Sequence, residues 1–131
     1  HVESARKENK SSTGHAARGA SGGISTRSHN LVWPKGEHSL LQLCALNNKC
    51  LLVTQLEGHA GCNPVSGDIS IGVQGFLIEN GSRIQPVDSI TVAGNFFDVL
   101  KHIRGCGNAY QPELTHSFIP ALLIEGLTVS G

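Results

Sequence analysis

Seven His and four Cys are the residues of this chain best able to bind a metal or act as nucleophiles. His59-x-x-Cys62 offers two ligands suited to zinc, and His102 with Cys106 makes a second pair four residues apart. Neither spacing is a recognised zinc signature, and a polar loop histidine beside small core thiols accounts for the same residues more simply. A Cys/His nucleophile pair needs a thiol of lowered pKa, and the sequence singles out none. Gly22-Gly23 and Gly105-Cys106-Gly107 lack the strand-then-helix setting of a phosphate cradle and read as turns. No His-Glu-x-x-His run occurs anywhere. A self-contained zinc or thiol hydrolase would therefore have to be assembled from His59, Cys62 and Cys106.

The elements that must position such residues become legible after Pro34. Ser39-Leu-Leu-Gln42 fits a capping box, with Leu40, Leu43 and Cys44 giving one apolar face, and predicts a short helix over 40–46. Cys50 to Leu56 reads as an apolar strand, followed by a turn-rich loop from Gly58 to Gly67 that holds His59, Cys62, Asn63 and Pro64. Asp68 to Glu79 is the longest strand, and its apolar phase flips beside Gly75, as at a β-bulge. Asn80-Gly81 is a type I′ hairpin turn, with return strands expected over 83–87 and 89–93. Asn95 can cap a helix carrying Phe96, Phe97, Leu100 and Ile103 on one stripe, with Lys101, His102 and Arg104 in its last turn before Gly105. A loop over 105–117 should lead to a buried strand over 119–124, with Pro120 at a strand start or edge, and to a final extended piece. The fold class is α+β: a largely antiparallel sheet with hairpins and two short helices packed on it.

Composition divides the chain. Residues 1–28 hold five Lys/Arg against two acidic residues, whereas residues 29–131 hold five against eight. From Lys10 to Ser28 the one large apolar side chain is Ile24, too little burial to offset the entropy of ordering, so this basic stretch reads as a strap on something else. Residues 3–10 before it look like the end of a helix. The organisation expected is therefore a helix end plus strap over 1–28 and one α+β domain over 29–131. With 10 Lys/Arg against 10 Asp/Glu, no net field recommends nucleic acid or an anionic membrane. The strap (Arg6, Lys7, Lys10, Arg18, Arg27) lacks the interleaved aromatics of a nucleic-acid surface. No apolar run is long enough to span a bilayer and no leader opens the chain. The four cysteines, spaced by 6, 12 and 44, match no disulfide framework, which points to reduced thiols and a cytoplasmic setting. A chain that starts at His1 and has no Met reads as a fragment or processed product.

Several segments together resemble the modulator-of-DNA-gyrase family of TldD/PmbA peptidases, in particular the C-terminal domain of its PmbA (TldE)-type subunit. They are Ser4-Ala-Arg-Lys7 with Ser12-Thr-Gly-His15, Gly58-His-Ala-Gly-Cys-Asn-Pro-Val-Ser-Gly-Asp68, Gly75-Phe-Leu-Ile-Glu-Asn-Gly81, Pro86-Val87, Ile90-Thr-Val-Ala-Gly-Asn95, and Pro120 through Gly131. The resemblance implies a cytosolic heterodimeric zinc metallopeptidase that processes or degrades unfolded peptides, including antibiotic precursors. In such an enzyme the zinc sits on the paralogous TldD-type subunit, on a His-Glu-x-x-x-His helix of the N-terminal domain plus a Cys of the C-terminal domain. Here that N-terminal domain is missing and the segment from Asn108 to Pro120 contains no Cys. Cys106 aligns with an apolar position, so no metal and no catalytic role transfers to this chain. The partners implied are the TldD-type subunit, the chain's own N-terminal domain and unfolded peptides. His59, Asn63 and Asp68 are the side chains expected to line a substrate passage or subunit interface, where peptides can be held by strand addition. A purely structural dimerisation module is the remaining alternative.

Overall fold

A computed structural model describes residues 2–58, 61–110 and 116–131. The elements in chain order are α1 (Val2–Lys7), β1 (Ala16–Arg18), β2 (Ile24–Thr26), β3 (Leu31–Val32), α2 (Leu40–Cys44), β4 (Lys49–Glu57), β5 (Asp68–Glu79), β6 (Ser82–Asn95), α3 (Phe96–Lys101), β7 (Ile103–Tyr110), β8 (Ser117–Phe118), β9 (Pro120–Ile124) and β10 (Thr128–Ser130). Mostly antiparallel strands with short helices make this an α+β fold, as the sequence predicts. Two compact units form, one from His1–Trp33 with Pro112–Ile119 and the other from Pro34–Gln111 with Pro120–Gly131.

In the first unit α1 buries none of its residues. The Gly/Ser-rich stretch after it, expected to lack regular structure, contains an antiparallel hairpin of β1 and β2. Arg18 Nη1 donates to the Gly22 carbonyl across its turn at 3.0 Å. None of the unit's described residues is buried. β3 pairs in parallel with β8.

The second unit is built on a four-stranded sheet of order β10-β6-β5-β4. Asn80 and Gly81 adopt φ of 49° and 77°, the left-handed pair that a type I′ turn requires, and Glu79 faces Ser82 across it. The register slip at Gly75 is real, but β5 runs through it and its neighbours carry the extra residues: Thr54 in β4 and the 88–89 pair in β6. The two return strands expected are consequently one strand of 14 residues. Ser89, at φ 54°, absorbs the bulge without ending the pairing. Val73 and Ile78 of β5 are buried with Leu43 and Cys44 of α2. That helix carries the complete capping box: Ser39 N donates to Gln42 Oε1 at 2.8 Å and Gln42 N to Ser39 Oγ at 3.3 Å.

Two expectations fail for one reason. α3 stops at Lys101, and Ile103 to Tyr110, predicted partly as helix and partly as loop, form β7 against β9. Helical periodicity reaches Ile103, but pairing Ile103 with Ile124 and Cys106 with Leu122 satisfies backbone and apolar surface together, and tertiary pairing overrides a weak local preference. Pro120 sits buried at the first position of β9, where its missing N–H costs no ladder bond.

Candidate functional site

The described part of the loop before β5, residues 61–67, is held by hydrogen bonds of its own. Asn63 folds over its own backbone: its Oδ1 accepts from Val65 N at 2.9 Å and from Ser66 N at 3.2 Å. Asn63 N donates to the Asp68 carbonyl at 2.9 Å, and Gly67 N donates to the Asn63 carbonyl at 2.8 Å. Gly67 is buried at φ 81°, and a Cβ there would lie 2.8 Å from the Phe97 ring. A side chain at that position would meet both an unfavourable backbone and a filled space.

Asp68, the first residue of β5, is tied on both carboxylate oxygens. Ser66 Oγ donates to Oδ2 at 2.6 Å and Asn95 Nδ2 donates to Oδ1 at 3.1 Å. These bonds, the Ser66 hydroxyl first and the Asn95 amide second, hold its pKa below the usual carboxylate range. Asn95 also donates to the Ser66 carbonyl at 2.9 Å, while its Oδ1 accepts from Phe97 N at 3.0 Å and caps α3. Phe96 N donates to the Gly67 carbonyl at 2.7 Å, fastening the start of α3 to the loop.

Asn63 and Asp68 are thus brought into one network, and Asn95 joins it as a member that sequence reading identifies only as a helix cap. His59 lies outside the described residues. Around the network the surface is apolar: Val65 is 90% exposed, Phe96 48%, Phe97 53% and Leu100 43%. The stripe predicted to bury α3 faces outward instead.

The thiols go elsewhere. Cys62 is exposed and bridges Ile69 beside the four-stranded sheet, whereas Cys106 lies on β7, opposite Leu122 of β9. Among the described residues no three His, Cys, Asp or Glu side chains come together to hold a metal. Cys50 is pushed toward the neutral thiol chiefly by burial and then by Cys44 beside it, the wrong direction for a nucleophile. Among the described residues no helix is long and apolar enough to cross a membrane. The arrangement presents a hydrogen-bonded polar loop with exposed apolar residues beside it.

All of residues 1–131 match the model of the PmbA/TldA metallopeptidase C-terminal domain. The chain belongs to that family. A metalloprotease PmbA homolog of Haemophilus influenzae is 44% identical over 129 residues, covering 98% of this chain and 26% of the relative. The metalloprotease PmbA of Escherichia coli O157:H7 is 40% identical over 105 residues, covering 80% of this chain and 21% of the relative. Among solved structures, TldE of Thermococcus kodakarensis superposes with a TM-score of 0.83 at 26% identity, over 97% of this chain and 29% of that one. A Thermotoga maritima chain described as a putative modulator of a DNA gyrase gives 0.84 at 36% identity, over 99% and 29%. This PmbA-type domain therefore spans about a quarter of the length of the curated relatives it matches. The loop and the two strands that carry its network lie wholly inside the matched region.

Proposed function

We propose that this PmbA/TldE-type domain is the non-catalytic C-terminal part of a subunit in a cytoplasmic, heterodimeric zinc metallopeptidase that processes or degrades unfolded peptides. The zinc is supplied by the paralogous TldD-type subunit. The present chain contributes a wall of the substrate passage or of the subunit interface through His59, Asn63 and Asp68. One observation supports this reading most: the 61–68 loop of a metallopeptidase-family domain is locked by its own hydrogen bonds while the apolar residues beside it stay exposed. A loop with its conformation already fixed loses little entropy when it meets a partner. Main-chain pairing would make peptide capture independent of sequence, as an enzyme of varied unfolded substrates requires.

Zinc content by mass spectrometry tests the division of labour. The domain purified alone should hold no stoichiometric zinc, and the complex with a TldD-type subunit should hold it. About one zinc per chain in the domain alone would overturn the proposal and direct attention to His59, Cys62 and Cys106. In the full-length subunit, His59→Ala with Asn63→Ala should weaken assembly or peptide cleavage. Wild-type values for both would remove these residues from the site.

A further inference from the structure

Cys44 and Cys50 are six residues apart, at the end of α2 and near the start of β4. The turn between them is pinned at both ends. Ala45 N donates back into α2, to the Leu41 carbonyl at 3.0 Å and the Gln42 carbonyl at 3.1 Å, and the Asn48 carbonyl accepts from Asn80 N at 2.8 Å. Register then aims the second thiol. Cys50 stands opposite Ile78 in the antiparallel ladder, and residues directly opposite share a face of the sheet, so Cys50 lies on the face of buried Ile78. From there its Sγ donates to the Cys44 carbonyl at 3.7 Å, and the Cys44 side chain is also within its hydrogen-bonding reach. Thiols that touch in a fixed frame need a small approach rather than a backbone movement to reach bonding distance. Both line one open cavity of about 470 Å³, which gives a small oxidant a path to the pair although Cys44 is only 7% exposed. The peptidase proposal gives neither thiol a role.

We infer that Cys44 and Cys50 are a redox-sensitive pair: a peroxide closes them to an intramolecular disulfide that latches the end of α2 to β4, and a dithiol reductant reopens it. Cys50, the less buried of the two, reacts first. Its sulfur attacks one peroxide oxygen, the O–O bond breaks, water leaves and Cys50 becomes a sulfenic acid. The Cys44 sulfur then displaces that hydroxyl, the S–S bond forms, and a second water carries off the remaining thiol hydrogen. Two thiols are oxidised to one disulfide while one peroxide is reduced to two waters. Burial, and then Cys44 beside it, hold Cys50 in the neutral thiol form, so the first step is slow and the pair answers sustained rather than brief exposure. At rest both thiols are free, in keeping with the reduced state expected from the spacing of the four cysteines. The inference is independent of which subunit holds zinc and of what the 61–68 loop binds.

The test treats the full 131-residue chain with hydrogen peroxide, blocks the remaining thiols by alkylation and maps links by mass spectrometry. Cleavage after Lys49 by trypsin, and after Glu37 and Glu57 by a glutamate-specific protease, puts Cys44 and Cys50 on separate peptides, 38–49 and 50–57, neither of which contains Cys62 or Cys106. Those two peptides should appear joined, lighter by two hydrogens than their sum, and should separate with dithiothreitol. Cys50→Ser should lower the fraction of Cys44 protected from alkylation at least about tenfold. Cys44 and Cys50 both still open to alkylation after Cys62 has been oxidised would overturn the inference. Cys50 accumulating as sulfinic or sulfonic acid without a link would do the same. A link to Cys62 or Cys106 in place of the 44–50 link, or one between two chains, would also count against it.

Discussion

Asn95 does more than end a strand. One side-chain amide closes α3, reaches the Ser66 carbonyl and engages Asp68, so three local structures depend on it. Asn95→Ala should destabilise the domain by about 1 to 2 kcal/mol, the range of a lost N-cap together with two further exposed hydrogen bonds, as measured by urea denaturation. Asp68 has a pH signature of known sign. Its folded pKa is depressed, so its contribution is present above the ordinary carboxylate pKa near ~3.9 and is lost as pH falls through the folded value. Thermal melts from about pH 6 to about pH 3 should show this loss, and Asp68→Asn should flatten that part of the profile. Gly67→Ala should cost about 1 to 2 kcal/mol from backbone conformation alone, and more because the Phe97 ring fills the space. Each residue was visible in the sequence, Gly67 and Asn95 as turn and cap types, but their mutual contact was not.

At the scale of elements, register decides that contact. Glu79 faces Ser82, and an unbroken ladder from there would set Asp68 opposite Ala93. Two extra residues in β6, at Ile84 and in the 88–89 bulge, move the register so that Asp68 faces Asn95. Hydrophobic alternation reported a phase flip near Gly75, but it could not say which strand holds the additional residue, because the signature of a slip is shared by both strands of a pair. Ser89 occupies the left-handed region without being glycine, so Ser89→Gly should stabilise by about 0.5 to 1 kcal/mol in chemical denaturation while leaving the fold unchanged. Ile78→Ala, by contrast, empties one of the few buried positions and should cost about 2 to 4 kcal/mol. The capping box of α2 and the Asn80-Gly81 turn were legible because each is complete within four residues. α3 was overextended because its final turn competes with β9, a partner about 20 residues away, which no local pattern registers.

For the whole molecule, stability should be distributed unevenly. No described residue of the first unit is buried, whereas β5 of the second carries buried Val73, Gly75 and Ile78. Amides of β1 and β2 should therefore exchange near the rate of local opening, and those of β5 only with global unfolding, a contrast read directly by native-state hydrogen exchange. The sequence by itself determined the α+β class, the 12-residue strand over Asp68–Glu79, the hairpin turn and the capped starts of two helices, since propensity, capping and alternation act over a few neighbouring residues. Its ordered motifs also carried the family resemblance. Only the tertiary structure decided that the 103–110 segment is a strand, that Asp68 meets Asn95 and that the Phe96, Phe97 and Leu100 stripe faces outward. Those features depend on register and on pairing between residues far apart in sequence, which are fixed when backbone groups and apolar surfaces find partners across the fold.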